Sequence, residues 1–400
     1  MKYISTEKLI IKSWCESPEE GAIEQAKAIA NLPFTFKHVC LMPDAHLGYG
    51  MPIGGVAAFK GVVSPNCVGV DIGCGCLSVK TSLIEISIER LKEIMILIRQ
   101  AIPLGFNHHN KAQEESLMPK KKYAFLEIDD GFVFHDYPVV WNEYESALKQ
   151  LGTLGGGNHF IEIQKGSDGY IWFMLHSGSR NLGYTVAKHY NKLAQELCKK
   201  WHSNIPECKG EDGLAFLPVD IEEGKAYLRE MQYCLDFAKA NRTLMAERIK
   251  EAFNRILDNI QFTEEINIHH NYAALENHFG ENVWIHRKGA ILARESTIGI
   301  IPGSQGTSSY IVRGKGNPDS FMSSSHGAGR KMSRTKAITQ LDLDQEKKRL
   351  DDKGIIHAIR NKNDLEEAAG AYKDIDIVME EQKNLVDILV KLEPLAVIKG

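Results

Sequence analysis

One recurring feature limits what this chain can fold into. Short apolar runs stop at glycines, and each stop carries a histidine, cysteine, carboxylate or amide. "VGVDIGCGC" brings Asp71 and Cys74 through glycines 69, 73 and 75, and "LGGGNHFIE" carries Asn158, His159 and Glu162. "LHSGSRNLG" delivers His176, "NIHHNYA" delivers His269, His270 and Asn271, and "SSSHGAGR" delivers His326. Apolar runs this short, bounded by Gly and Pro, read as strands. A rigid strand that hands a polar side chain to a loop is where sites are built. Singly, each has a plain explanation: a tight turn beside a buried thiol, or a histidine satisfied in the core. Together they describe one candidate site drawn from five places in the chain.

The remaining bounds are broad. A chain of 400 residues with 43% hydrophobic and 25% charged residues can bury a large core. That excludes a disordered or fibrous protein. No apolar run reaches the length of a membrane span. The charged start, "MKYISTEKLIIKSWCESPEE", is not expected to be a signal peptide. Cysteines 15, 40, 67, 74, 76, 198, 208 and 234 are scattered, as reduced thiols of a cytoplasmic protein would be. Net charge is −4, yet residues 286–336 carry nine Lys or Arg against Glu295 and Asp319, a local net of +7. Such a stretch can meet phosphates, or can be a solvated face balanced by the acidic stretch 341–383.

Residues 19–31, 84–101, 183–202 and 225–258 have helical composition or spacing, and 38–80, 171–175 and 283–313 read as strands and turns. Residues 376–392 are expected to form a last helix before "PLAVIKG". The pattern does not alternate as strand–helix–strand, which favours an α+β fold: one mixed domain over 1–400, with a helical lobe or insertion near 183–260.

Thiolate, neutral imidazole and carboxylate are together a transition-metal ligand set, and one thiolate can bridge two ions. Ligand type alone favours zinc; manganese prefers more oxygen. "GTLGGGNH", "HSGSRNLG", "PGSQGTSS" and "SHGAGR" offer unblocked backbone N–H groups and hydroxyls, which suit phosphate. Neither a Walker A sequence nor a dinucleotide fingerprint is present.

The motifs "MPDAHLGYGMPIGGVAAF", "VGVDIGCG", "LGTLGGGNHFIE", "LHSGSRNLG", "HHN", "HRKGA", "PGSQGTSSY", "SHGAGR", "GAYKDID" and the terminal "IKG" come in an order that resembles the RtcB family. The resemblance runs from about residue 35 to residue 400. It implies a GTP- and manganese-dependent RNA ligase of tRNA splicing or RNA repair, with a central metal and nucleotide cleft. Cys74 would bridge two Mn2+ ions completed by Asp71, His159, His176 and His270. His326 would attack GTP and carry GMP. Asn158, Glu162, Asn271, Ser309, Ala328, Gly329, Tyr372 and Lys399 would hold the nucleotide, with Glu162 and Lys399 at the guanine edge. Arg180 and Arg330 would meet RNA or nucleotide phosphates. The implied partner is RNA with a 3′-phosphate or 2′,3′-cyclic-phosphate end and a 5′-hydroxyl end; no membrane is implied, and an activating protein is left unassigned.

This chain departs from the family pattern at four places. His269 stands where many members have Ala, and Cys76 adds a second thiol. "IPLGFNHHNKA" at 102–112 replaces a Gly-rich continuation, and "EEAAGAYKDID" lacks the usual Pro or Ser before Gly370. They point to a divergent paralogue. Two other readings stand beside the ligase. A nucleotidyl transferase could cap a nucleic-acid 3′-phosphate with GMP without sealing, which a product gel distinguishes. A metal-stabilised RNA-binding protein without catalysis would have no need of His326.

Overall fold

In the computed structural model, which describes residues 1–119, 138–203, 205, 213–357 and 359–400, the apolar runs pair into two large sheets. One has seven strands in the spatial order Phe262–His269, Gly75–Thr81, Ile171–Ser177, Phe160–Gly166, Val386–Lys399, Ser309–Gly314 and Ile298–Ile301. All of its pairings are antiparallel. Its two edge strands approach each other, so the sheet curls nearly into a barrel. Trp172, Met174, Ile300, Ile311 and Leu392 fill the inside. The other sheet has six strands: Lys2–Ile4, Ile10–Ser13, Thr35–His46, Ile53–Phe59, Glu281–Lys288 and Asn271–His278. The architecture is α+β.

Register explains how distant motifs meet. Gly75 pairs with both Ser177 and His269, and Phe160 pairs with His176. The ends that carry Cys74, His159 and His176 are therefore neighbours. His270 is the single residue between Phe262–His269, an edge strand of the seven-stranded sheet, and Asn271–His278, an edge strand of the six-stranded sheet. Its N–H donates to the Cys74 carbonyl at 2.8 Å, and its carbonyl accepts from Ala290 N at 3.2 Å. The crossing from sheet to sheet thus happens at the metal-ligand candidates.

The helix Glu222–Ile256 spans 35 residues and buries Met245, Ala246, Ile249 and Phe253 at spacings of one to four. That stripe covers the outer face of the seven-stranded sheet beside Ile94 and Ile98 of the helix Ile88–Ala101. Deleting one large member, as in Phe253→Ala, should cost ~3–5 kcal/mol. The helical stretch expected over 183–260 comprises this helix and Arg180–Lys200. Among the described residues no helix is long and apolar enough to cross a membrane. Among the described residues seven cysteines form no disulfide; Cys208 lies outside the described residues.

Two expectations need correction. The last helix covers only Ile375–Glu381, and residues 386–399 are a strand inside the seven-stranded sheet. Val390 pairs with Ile311 and Ile398 with Ile161, far away in sequence. Cross-strand packing of its β-branched residues outweighs the local helical spacing. Pro394 sits where the ladder shifts register, the place a strand tolerates it. The basic stretch is also less of a surface than its charge count suggests. Arg287 is buried in an ion pair with Glu276, and Lys288 is buried too.

Candidate active site

The turn holding Asp71 and Cys74 is forced by glycine. Gly73 has φ +74° and would place a Cβ 3.0 Å from the Ala238 side chain and 3.1 Å from the Leu235 backbone. The turn closes through Cys74 N to the Asp71 carbonyl, 3.1 Å, and Gly73 N to the Asn271 carbonyl, 2.9 Å. Arg242, wholly buried on the long helix, donates to the carbonyls of Gly73 at 2.9 Å and Ser177 at 3.0 Å.

Two triads meet there. Cys74, His176 and His270 form one, and Asp71, Cys74 and His159 the other, with the ligand atoms of each group within 4.8 Å of one another. Cys74 belongs to both. Its Sγ lies 3.1 Å from His176 Nε2 and 3.5 Å from His159 Nε2. His176 Nε2 is 3.4 Å from His270 Nε2, and His159 Nε2 is 3.2 Å from Asp71 Oδ2.

The outer nitrogens of the rings are tied back. His159 Nδ1 faces the Leu154 carbonyl at 2.9 Å, and His176 Nδ1 faces the Asn158 carbonyl at 3.2 Å. A carbonyl can only accept, so Nδ1 carries the proton and the Nε2 lone pair points into the cluster. Burial pushes His176 and His270 well below the usual imidazole range, which keeps them neutral. Burial, and then the nearby Asp71, raise the Cys74 thiol well above its ordinary value. A divalent cation reverses that preference, because a metal-bound thiol gives up its proton. The donors fit a pair of cations sharing one sulfur.

The second imidazole of "HHN" turns away from the triads. His269 Nδ1 lies 3.1 Å from Arg242 Nη2 and 3.0 Å from the Gly73 carbonyl. Cys76 is a buried hydrophobe inside the barrel, and burial pushes its thiol up to about 12.

His326 follows the short strand Ser323–Ser325 and lies against the cluster, its ring centroid 4.7 Å from that of His270. Its Nδ1 is 2.6 Å from Asp44 Oδ2. The same oxygen accepts from His326 N at 3.0 Å and Gly327 N at 3.3 Å. Asp44 is fully buried, which works against its charge, but His326, then His46 and Lys373, together outweigh burial and hold the carboxyl below its usual range. The carboxylate fixes the proton on Nδ1 and leaves the lone pair on Nε2. Gly329, at φ +73°, is needed here because a Cβ would lie 2.2 Å from the Asp44 carbonyl oxygen.

A cavity of about 340 Å³ opens beside His326, lined among others by His176, Asn158, Glu162, Tyr372 and Lys399. Ala328, Gly329 and Arg330 also line it. Three of the residues expected to hold nucleotide or phosphate do not. Ser309 is buried behind the wall, where its Oγ accepts from Gly303 N at 3.1 Å and so braces a loop that does line the cavity. Asn271 spans Asp71 and Gly289, donating to the Asp71 carbonyl at 3.0 Å and accepting from Gly289 N at 2.8 Å. Arg180 flanks the metal turn and donates to Thr153 Oγ1 at 3.2 Å and the Gly105 carbonyl at 3.4 Å. Arg330 is spent on the wall itself: Glu367 at 3.2 Å, the Tyr372 hydroxyl at 3.3 Å and two carbonyls.

Sequence reasoning missed four residues. Asp44 ends an apolar run in "MPDAH", the same signal that exposed the other candidates. Glu367 is a buried carboxylate that accepts from Arg330 and Arg334 and lies 4.0 Å from Lys399. Arg334 lines the cavity with its side chain about half exposed. Arg242 had no signal, because one Arg in a long amphipathic helix reads as part of its polar face.

Comparison with known proteins agrees along nearly the whole chain. The family model for the tRNA-splicing ligase RtcB matches residues 25–400. RNA-splicing ligase RtcB of Escherichia coli strain K12 is 37% identical over 412 aligned positions, covering 99% of each chain. The tRNA-splicing ligases RtcB of Methanococcus maripaludis and Thermococcus kodakarensis are 32% and 30% identical over 448 positions, covering 96% of this chain and 92% of theirs.

Proposed function

The chain belongs to the RtcB family of RNA ligases, and from that membership we propose that it seals RNA 3′-phosphate or 2′,3′-cyclic-phosphate ends to 5′-hydroxyl ends through a GMP carried on His326. The observation that carries this reading is the pairing of His326 Nδ1 with the buried Asp44, beside a cluster that shares Cys74 between two triads. Cys74, His176 and His270 would hold one ion, and Asp71, Cys74 and His159 the other. Bound cations would neutralise charge on the phosphate oxygens. Manganese is carried over from the family; the donor set also suits zinc.

The protein's own groups supply the rest. Asp44 keeps the proton on His326 Nδ1, so Nε2 attacks with its lone pair. An N–P bond forms at the α-phosphorus of GTP, and the bond to pyrophosphate breaks with its electron pair. The ring then carries positive charge, which the Asp44 carboxylate balances. Asn158, Glu162, Tyr372 and Lys399 would hold the nucleotide, with Ser309 and Asn271 acting through the loops they brace. Arg180 and Arg334 flank the phosphate path. Water first opens a 2′,3′-cyclic phosphate to a 3′-phosphate; an oxygen of that 3′-phosphate then attacks the GMP phosphorus, and the N–P bond to Nε2 breaks. The 5′-hydroxyl oxygen then attacks that 3′-phosphorus, losing its proton, and GMP leaves. Seven cysteines that form no disulfide among the described residues support a reducing, cytoplasmic setting.

The test is incubation with α-labelled GTP and manganese, followed by denaturing electrophoresis. Wild type should retain an acid-labile, alkali-stable label, and His326→Ala none. His326→Ala should still seal a pre-guanylylated RNA 3′ end. Label retained by His326→Ala would defeat the nucleophile, and a capped but unsealed strand from wild type would defeat sealing.

A further inference from the structure

The segment 102–112, where this chain leaves the family pattern, has no part in the chemistry above. It is nevertheless held firmly against the site. Gly105 N donates to the Gly155 carbonyl at 3.1 Å, and Asn107 N donates to the Leu104 carbonyl at 3.1 Å. Arg180, beside the metal turn, holds the Gly105 carbonyl at 3.4 Å. His109 N anchors the far end on the Lys149 carbonyl at 3.0 Å. Out of this pinned loop projects Phe106, 96% exposed, the most exposed of the large apolar side chains among the described residues. No ring or cation contact to it is present among those residues. A phenyl ring left in water on a fixed loop loses the stabilisation that burial would bring.

At its foot lies a second cavity, of about 520 Å³, lined among others by Gly105, Gly157, Arg99, Arg360 and Lys399. It shares Gln305, Glu367 and Lys399 with the cavity beside His326, so the two lie side by side. The acids of its wall have cationic or N–H partners. Asp364 accepts from Arg360 N at 2.7 Å and Asn361 N at 3.0 Å, Glu367 faces Arg330 and Arg334, and Glu366 lies near Arg334. Arg99 is depressed first by burial and then by the neighbouring Arg360, as expected where two guanidinium groups share a wall.

A wall of mixed charge that carries Arg99, Arg360 and Lys399, beside a loop that exposes an aromatic ring, offers what single-stranded nucleic acid needs: cations for the backbone and a ring for a base face. We propose that Phe106 stacks on an unpaired base of the RNA strand close to the joined end, and that the cavity at its foot takes the adjoining sugar-phosphate. This rests on the RNA-ligase reading and adds a subsite to it.

The experiment uses the whole protein and short RNAs carrying a 3′-phosphate, with 2-aminopurine placed at each of the last few positions in turn. A second set carries the probe near the 5′-hydroxyl end. Wild type should quench fluorescence most at one position. Phe106→Ala should abolish that quench and raise the KM for RNA about tenfold, while kcat is kept. Phe106→Trp should preserve both. Phe106→Leu, apolar but unable to stack, should behave as Phe106→Ala. Label transfer from GTP alone, a step without RNA, reports that each variant is folded. A wild type that neither takes the label nor binds these RNAs would sink the ligase reading itself. Ligation by wild type with no loss in Phe106→Ala would overturn only the subsite. So would a Phe106→Ala change confined to oligomeric state, which would make the ring a protein contact.

Discussion

Replacing Asp44 by Asn tests the least visible part of the site. The substitution keeps shape and volume but removes one buried negative charge. Three donors converge on Asp44 Oδ2: His326 Nδ1 at 2.6 Å, His326 N at 3.0 Å and Gly327 N at 3.3 Å. The amide oxygen can still accept from them, so the loop should hold and the fold survive. What is lost is the charge assistance to an imidazole that turns cationic as its Nε2 bonds phosphorus. A hydrogen bond to a charged group is worth ~1.5–3 kcal/mol. If the amide instead turns its NH2 toward Nδ1, the proton moves to Nε2 and the nucleophilic lone pair is lost. The two effects together predict a fall of roughly 10²–10³ in the rate of label transfer from GTP, from about 3–4 kcal/mol on the barrier. Single-turnover labelling measures this directly. Metal content should not change, because Asp44 touches neither triad. Asp44→Asn labelling within about threefold of wild type, with metal intact, would refute the argument that Asp44 sets the tautomer.

Three further outcomes follow from the same geometry. Cys74→Ala should lose both ions rather than one, as read by elemental analysis of dialysed protein, because both triads contain its sulfur; retention of either ion would rule out a shared thiolate. His270→Ala should lose metal and labelling, whereas His269→Ala should keep both, since the His269 ring is hydrogen-bonded to Arg242 and the Gly73 carbonyl, away from the triads; the reverse pattern would move the ligand by one residue. Burial raises Glu162 to about 8, so near neutral pH it is largely protonated in the free protein. A carboxylate that accepts from a guanine edge must be ionised, so GTP affinity should improve as pH rises through about 8 and level off above it. Glu162→Gln should flatten that dependence, and a wild-type affinity that falls over the same range would contradict the assignment.

Residue identity alone carried the chemistry. Thiolate, imidazole and carboxylate are recognisable metal donors wherever they stand, and glycine beside them marks a turn, so Asp71, Cys74, His159, His176, His270 and His326 were legible without coordinates. The amphipathic helices were legible too, because a 3.6-residue period is local. The rest depends on contacts that local pattern does not hold. Asp44 is 282 positions from His326, and nothing in "MPDAH" says which histidine it will face. Glu367 and Arg334 became partners only when the helix Arg334–Gln340 packed against the 3-10 helix Lys362–Glu367. Residues 386–392 have helical spacing but became a strand, since the partners at 309–314 and 160–166 offered a ladder that an isolated segment cannot see. That His270 faces the cluster while His269 faces Arg242 follows from the crossing from one sheet to the other. Local sequence sets side-chain chemistry and periodicity, whereas sheet register and sheet-to-sheet crossings, which are non-local, decide which of those groups share a site.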